Sequence, residues 1–340
     1  MTLDVLEKEL KEGKLNSLYL FYGEERFLLE SNLKKIKKIF GETIPGINFV
    51  TIDETNIQNL ISDLQTPPFG YNKKLVIIKN SGILKKEGKR KNVAIAELKE
   101  KITNFLKENI NEIKESNLII FIEGEVEKNT LYKLIEKEGN ICEFEKQKLP
   151  QLIKRLKQIF NGYKVNIEEN TLKYLVEECG TGMQELINES RKLIEYAGKD
   201  GTVTKEDIDL LCIKQIEAVI FTLTDSLGKK DIQESLNTLK NLIYNKEPIQ
   251  KILITLYNHF KKLYLTKIAI ENNINIAEAL NLKPNQIFLI NKYKTQANYF
   301  KKEELQNIIE ELILLDQNSK IGLIDLNIGL ESILSNYCSK

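Results

Sequence analysis

This 340-residue sequence has few cysteines, a single histidine, no long apolar run and almost no net charge. Each of these features excludes a class of protein. The four cysteines, Cys142, Cys179, Cys212 and Cys338, form no Cys-x-x-Cys pair, so the spacing predicts neither a disulfide framework nor a zinc site. No apolar run approaches the roughly 20 residues that a membrane-spanning helix needs. The formal net charge is +1, so a contact with nucleic acid needs a local patch. These features favour a soluble cytoplasmic protein with no membrane contact.

The scarcity of histidine also limits catalysis. His259 is the single histidine, and it lies in the helical stretch LYNHFKKLY, where a histidine without a catalytic role is the typical case. No Gly-x-Ser-x-Gly motif is present for a hydrolase nucleophile. Asp207 and Asp209 are two residues apart on a predicted helix and therefore point to different faces. The sequence therefore predicts no catalytic residue, no metal and no cofactor.

Short apolar runs alternate with helical patterns over the first 145 residues. Runs of this length suit strands that are buried on both faces of a parallel sheet, with helices on either side. The predicted strands are 18–22, 47–52, 75–79, 118–122 and 141–144, and the predicted helices between them are 24–40, 56–64, 93–114 and 128–138.

After Pro150 the strand patterns stop, and the sequence predicts helices only. A tight turn, CGTG at 179–182, separates two of them, and Thr204 with Asp207 forms the capping pair of another. From about residue 213 the predicted helices are long: 215–227, 230–244, 248–271, 285–298, 301–317 and 322–337. The predicted domains are 1–146, an α/β domain, 147–212, a small helical domain, and 213–340, a helical bundle.

An α/β domain followed by a small helical domain is the outline of an AAA+ ATPase, but the catalytic parts are missing. A phosphate loop needs a glycine-rich turn followed by Lys and Ser or Thr. The turn after the first strand instead reads Gly23-Glu24-Glu25, and its acidic pair would repel a triphosphate. The third strand ends in Lys79-Asn80, where a carboxylate would be needed to hold magnesium. We therefore expect an ATPase scaffold without ATP hydrolysis.

Two stretches suit binding instead. In LQTPPFGYNKKLVIIKN, residues 64–80, two prolines stiffen the chain before Phe69, so the turn can present this ring at its tip. The alternative is that Phe69 folds back to cover the sheet. In KKEGKRK, residues 85–91, five of seven residues are basic, which suits either a solvated loop or a contact with DNA phosphates. The candidate DNA contacts are Lys85, Lys86, Lys89, Arg90 and Lys91.

Several segments, in order, resemble the delta-subunit family of the bacterial DNA polymerase III clamp loader. LYLFYGEERFLLE is similar to the family's opening strand and helix, and PPFGYNKKLVIIKN to its Pro-Leu-Phe turn, basic pair and strand. The stretch from Leu152 to Gly198 resembles the second domain of the family. Ile216 to Asp225 and LLDQNSKIG resemble its helical collar. Together these segments span nearly the whole chain.

The resemblance implies a three-domain, AAA+-like subunit that binds and opens the ring-shaped beta sliding clamp during DNA replication and does not hydrolyse ATP. Its implied partners are the gamma/tau and delta-prime subunits, which it meets through the collar, and primer-template DNA inside the complex. In the family a Leu-Phe pair enters a pocket on the clamp. Phe69 matches the Phe, whereas Pro68 stands where Leu is usual, so Leu64 or Tyr71 are the candidates for a second apolar anchor.

Two alternatives remain open from the sequence. One is a clamp-loader-type AAA+ ATPase with a divergent nucleotide site, which would bind ATP. The other is a DNA-binding replication accessory protein that uses residues 85–91, which would bind duplex DNA with a steep salt dependence.

Overall fold

The structure is a computed structural model that describes residues 1–85 and 93–339. Its contacts divide the chain into two compact units, Met1–Glu145 and Lys146–Lys340. The predicted further division after residue 212 stays a prediction. In the described part of the chain, no helix is both long and apolar enough to cross a membrane.

A five-stranded sheet forms the centre of the first unit. Its spatial order is β2-β3-β4-β1-β5, and every neighbouring pair is parallel. The strands are β1 (Leu18–Tyr22), β2 (Phe49–Ile52), β3 (Lys74–Lys79), β4 (Asn117–Glu123) and β5 (Asn140–Glu143). Leu20 of β1 pairs with Phe121 of β4 and with Ile141 of β5, so β1 lies inside the sheet. The apolar runs are buried on both faces, as expected for a parallel sheet.

Helices cover this sheet. They are α1 (Leu3–Lys11), α2 (Arg26–Phe40), α3 (Leu60–Gln65), α4 (Val93–Glu108), α5 (Ile110–Ser116) and α6 (Thr130–Glu138), and a 3₁₀ turn at Ile57–Asn59 leads into α3. The single helix predicted over 93–114 was wrong, because Asn109 leaves the helical region with φ −112°. Its side-chain amide donates to the carbonyl oxygen of Phe105 at 2.9 Å, a local bond that competes with the helix.

The second unit begins with helices, as the sequence predicts, and the structure has four of them: α7 (Leu149–Gly162), α8 (Glu169–Cys179), α9 (Met183–Ala197) and α10 (Lys205–Leu211). The capping pair is confirmed, since the N–H of Thr204 donates to the Asp207 carboxylate at 2.8 Å. The expectation that strands stop after Pro150 was wrong. Two short parallel strands, β6 (Asn166–Ile167) and β7 (Thr202–Val203), pair here, each too short to leave a pattern in the sequence.

The rest of the second unit is a bundle of helices around one apolar core. Its helices are α11 (Ile216–Gly228), α12 (Ile232–Tyr244), α13 (Ile249–Glu271), α14 (Ile276–Ala279), α15 (Ile290–Asn298), α16 (Lys302–Lys320) and α17 (Leu326–Ser339). The helix predicted over 285–298 instead begins as a 3₁₀ segment, Pro284–Leu289, and the short α14 was not predicted. The predicted fold class, a parallel α/β domain followed by helical parts, is confirmed.

Candidate functional site

Two places in the first unit could carry function: the carboxyl edge of the sheet and the turn between α3 and β3. In open parallel sheets, ligands bind outside the carboxyl ends of the strands. Here the strands β1, β3 and β4 end at Tyr22, Lys79 and Glu123. A nucleotide at this edge would need free backbone N–H groups after β1 and a carboxylate able to hold magnesium.

The backbone after β1 is already hydrogen-bonded to neighbouring chain segments. The N–H of Gly23 donates to the carbonyl oxygen of Gly124 at 3.0 Å, and the N–H of Glu25 donates to that of Phe144 at 2.8 Å. Gly23 has φ +127°, and a Cβ there would lie 2.4 Å from the Phe144 oxygen. The glycine is therefore required by the close approach of the chain after β5, and these N–H groups do not form a phosphate cradle.

The carboxylate at the end of β4 also has internal partners. Glu123 is 3% exposed, and its Oε1 accepts hydrogen bonds from the backbone N–H and the hydroxyl of Ser81, at 3.0 and 2.8 Å. Burial raises the pKa of Glu123, and the bonds from Ser81 and the charge of Arg26 oppose that shift. Lys79 pairs with Glu30 at 3.1 Å. These side chains bind one another at the edge of the sheet, and their contacts stabilise the fold.

His259 lies in the core of the second unit, and its ring is hydrogen-bonded there. Its Nε2 lies 2.7 Å from Oε1 of Gln296, whose amide nitrogen donates to the Phe221 carbonyl and to the Asp225 carboxylate. Since the amide nitrogen is a donor in both bonds, Oε1 accepts, and the Nε2–H of the histidine donates to it. Burial lowers the pKa of His259 to about 4, so the ring is neutral at pH 7.

The turn between α3 and β3 presents one aromatic ring to solvent. Phe69 is 88% exposed, which excludes the alternative in which the ring folds back over the sheet. The N–H of Tyr71 donates to the carbonyl oxygen of Pro68 at 3.3 Å and closes a four-residue turn around Phe69. Gly70, at its third position, has φ +79°, which a type II turn requires there. The ring therefore stands at the tip of a defined turn.

The buried side chain of Lys74 holds this turn to the end of α3. Its Nζ donates to the carbonyl oxygens of Asp63 and Thr66, at 2.8 and 2.5 Å, and so binds the end of α3 to the start of the turn. The residue is 2% exposed, and burial lowers the pKa of its ammonium. The sequence suggested only a basic pair at 73–74, and no pattern could reveal that this lysine points inward to the carboxyl end of a helix.

The other candidate anchors have different surroundings. Leu64 is 4% exposed and belongs to the apolar core of the first unit, so it is not presented at the surface. Pro68 is half-buried beside the exposed ring. Tyr71 is also half-buried, with its hydroxyl 3.5 Å from a carboxylate oxygen of Glu42.

Of the candidate DNA contacts, only Lys85 belongs to the residues that the structure describes. Lys85 is exposed, at the end of a turn after β3. Lys86, Lys89, Arg90 and Lys91 lie outside the described residues, so their contact with DNA stays a prediction.

Comparison with known proteins gives one consistent match. A family model described as "DNA polymerase III, delta subunit" matches residues 19–145, and one described as "DNA polymerase III delta subunit, C-terminal domain" matches residues 217–337. DNA polymerase III subunit delta of Bacillus subtilis (strain 168) is 26% identical over 342 residues, which cover 98% of this chain and 96% of that protein. The probable DNA polymerase III subunit delta of Aquifex aeolicus (strain VF5) is 30% identical over 322 residues, which cover 91% of this chain and 87% of that protein.

The similarity extends to solved structures and there covers the full length of the chain. The Bacillus subtilis DNA clamp loader delta protein has a TM-score of 0.71 and 23% identity to this chain, and the match covers 99% of this chain and 100% of that one. This likeness concerns the fold.

The fold and the carboxyl edge of the sheet together define a class of protein: a parallel α/β unit whose sheet edge is occupied by its own backbone and side chains, followed by a helical unit. Within that class, the family models and the relative from Aquifex aeolicus identify the family. The chain belongs to the DNA polymerase III delta subunit family.

Proposed function

We propose that this protein binds the beta sliding clamp through the turn around Phe69 and opens the ring for loading onto primed DNA. The observation that carries the proposal is the 88% exposure of Phe69 at the tip of an anchored turn. An aromatic ring that is exposed in the free protein and held by a rigid backbone is typical of an interface anchor. Matches to the delta subunit family over both units support it.

The energetics of such an anchor are substantial. Burying a phenylalanine side chain in a partner's pocket contributes roughly 1.5–3 kcal/mol, which corresponds to about a ten- to hundredfold change in affinity. The turn is already ordered before binding, so little conformational entropy is lost when the ring enters a pocket. Pro68 and Tyr71, which flank the ring, are the proposed sources of further apolar contact, and Leu64 is not, because it is buried in the core.

Opening of the clamp follows if the protein binds the open ring more tightly than the closed ring. A ligand shifts a conformational equilibrium only by its differential affinity for the two states. In this proposal the Phe69 turn attaches the protein to the clamp, and the contact surface around it fits the clamp interface better after the ring has opened. The delta subunit would then act without any chemistry of its own.

The remaining parts of the chain fit a subunit of a larger complex. The proposed partners are the gamma/tau and delta-prime subunits, with the bundle at 213–340 as the collar that joins them and 147–212 as a separate small domain. Primer-template DNA would meet the complex, with Lys85, Lys86, Lys89, Arg90 and Lys91 as proposed contacts. A protein that acts on the replicating chromosome would work in the cytoplasm.

An ATPase with a divergent site is the competing proposal, and the geometry speaks against it. The N–H groups of Gly23 and Glu25 already donate to carbonyl oxygens, and Glu123 accepts from Ser81. Rebuilding a phosphate cradle would break these bonds. The competing proposal requires saturable binding of labelled ATP to the isolated chain.

The direct test is a titration of the purified clamp with the wild-type chain and with Phe69→Ala. We expect Phe69→Ala to weaken clamp binding about ten- to hundredfold while thermal unfolding stays unchanged, because the ring makes little contact in the free protein. Tyr244→Ala is the matched control, since Tyr244 is 86% exposed and lies in the second unit. Equal clamp affinity of the wild type and a folded Phe69→Ala would overturn the proposed anchor.

A further inference from the structure

Three potential metal ligands from separate parts of the sequence meet in the second unit. Cys179 is the last residue of α8, Glu189 lies in α9, and Cys212 directly follows α10. Their sulfur and carboxylate oxygen atoms all lie within 4.8 Å of one another. Sulfurs bound to one tetrahedral zinc ion are about 3.8 Å apart, given Zn–S bonds of about 2.3 Å. The observed cluster therefore needs only small side-chain movements to close around an ion.

The carboxylate of Glu189 is oriented by two neighbours. Its Oε2 accepts the backbone N–H of Ile213 at 2.9 Å and forms an ion pair with Lys192 at 2.5 Å. Both of these contacts use the same carboxylate oxygen. Metal-binding carboxylates and imidazoles are typically fixed in this way by hydrogen bonds on the side away from the ion.

The segment that carries Cys212 is also held in place. The N–H of Gln215 donates to the carbonyl oxygen of Glu178 at 2.8 Å, and Lys214 pairs with the Glu178 carboxylate at 3.0 Å. Lys192 donates in addition to the carbonyl oxygen of Leu211 at 3.0 Å. The residues on both sides of Cys212 are therefore fixed to α8 and α9, the helices that carry the other two groups.

We propose that Cys179, Cys212 and Glu189 bind one thiophilic divalent cation of the Zn²⁺ type, with water as the fourth ligand. Two thiolates, a carboxylate and a divalent cation leave one negative charge, which the ammonium of Lys192 balances. Cys179 and Glu189 are buried whereas Cys212 is half-buried, so water can reach the ion from the Cys212 side. Binding converts two thiols into thiolates and releases two protons to solvent.

The ion would serve as a structural cross-link. It would join the ends of α8 and α10 to the middle of α9, next to the segment that leads into α11. The cysteines are 33 residues apart and have no short-range partner, so the spacing rules that identify zinc motifs do not apply to them. Only the packing of α8, α9 and α10 brings them together.

The test uses the full chain, reduced, freed of metal with a chelator and titrated with Co²⁺, whose thiolate complexes absorb strongly. We expect one Co²⁺ per chain, with a sulfur-to-cobalt charge-transfer band that Zn²⁺ abolishes by displacement. Cys179→Ser and Cys212→Ser should each lose the band. Lys192→Met should keep the stoichiometry but weaken binding roughly tenfold or more, since it removes an orienting contact and the balancing charge but no ligand.

Cys338→Ser is the matched control, because Cys338 is also half-buried but lies far along the chain in α17, and it should bind as the wild type does. Thermal unfolding adds a second readout: Zn²⁺ should raise the midpoint of the wild type and of Cys338→Ser, but not of Cys212→Ser. If no stoichiometric Co²⁺ binds, or if the band persists in folded Cys179→Ser and Cys212→Ser, the proposal is overturned.

Discussion

At the scale of single residues, Lys74 binds the start of the Phe69 turn to the end of α3. Replacing it with Met keeps the apolar stem but removes both hydrogen bonds to the carbonyl oxygens of Asp63 and Thr66. We expect a loss of about 1–3 kcal/mol in the free energy of unfolding. Clamp affinity should fall roughly three- to tenfold, because a loosened turn must be ordered on binding. Denaturant unfolding and clamp titration measure the two effects.

A double-mutant comparison separates positioning from general destabilisation. If Lys74 acts on the clamp through Phe69, Lys74→Met should have no further effect on affinity in a Phe69→Ala background. Lys73→Met is the matched control, since Lys73 also donates two hydrogen bonds, to Ser17 Oγ and to the Lys114 carbonyl, both at 2.8 Å, but does not hold the turn. An equal loss of affinity in Lys73→Met would contradict the positioning role.

His259 gives the protein a defined sensitivity to acid. The folded chain protonates this ring only near pH 4, whereas the unfolded chain protonates it near pH 6.5. The unfolded state therefore binds more protons between these values, and the free energy of unfolding falls as pH falls through that window. The loss from this one group should reach about 2–3 kcal/mol at pH 4.5.

Denaturant unfolding at pH 7 and pH 4.5 tests this, with His259→Gln as the comparison. Glutamine does not titrate, and its amide can still donate to Gln296. Other groups titrate equally in both proteins, so the pH-dependent loss should be smaller in the variant by the amount given above. The same loss in both proteins would show that His259 does not govern the effect.

Some of these residues could be predicted from the sequence, and others could not. Phe69 could be found because two prolines and a glycine around an aromatic residue determine a local turn. The role of Lys74 and the meeting of Cys179 with Cys212 could not, since both depend on contacts between elements distant in sequence. Leu64 is a further example: its position at the end of α3 was predicted, but its burial depends on how α3 packs on the sheet.

At the scale of elements, the junction between β1 and α2 stands where a nucleotide site would lie, and it leaves no room for a side chain at Gly23. Gly23→Ala would place a Cβ 2.4 Å from the carbonyl oxygen of Phe144, on a backbone with φ +127°. We expect a loss of about 2–4 kcal/mol in the free energy of unfolding, because the first and fifth strands would have to separate.

Gly13→Ala is the matched control for this element. Gly13 also has positive φ, +72°, but a Cβ there meets nothing within 4 Å. Gly13→Ala should lower the free energy of unfolding only through backbone strain, by about 1–2 kcal/mol. If thermal or denaturant unfolding gave the same loss for both variants, close packing against Phe144 would not be the reason for Gly23.

The elements themselves were predicted to different degrees. All five strands of the main sheet were found, because strands buried on both faces read as continuous apolar runs. The break at Asn109 was missed, since another asparagine of this chain, Asn32, lies inside an unbroken helix, and the hydrogen bond from Asn109 to Phe105 is visible only in the structure. The pair β6–β7 was missed because two-residue strands have no periodicity to detect.

At the scale of the whole molecule, the first unit has a parallel α/β fold, and the carboxyl edge of its sheet is used for internal contacts. The carboxyl edge of the sheet is closed by hydrogen bonds among Gly23, Glu25, Gly124 and Phe144. The proposed activity lies instead on a turn at the opposite ends of the strands, just before β3 begins. Family membership could be predicted from the sequence because the order of several motifs spans the chain, whereas the proposed clamp binding rests on one exposed ring.

A measurement of clamp opening tests the proposed function most directly. A sliding clamp labelled across one interface with a self-quenching dye pair gains fluorescence when the ring opens. With no nucleotide and no other subunit present, we expect the wild-type chain to open the ring, and Phe69→Ala to require an about ten- to hundredfold higher concentration for the same signal. If the wild-type chain saturates the clamp without any gain in fluorescence, the proposal that it opens the ring is contradicted.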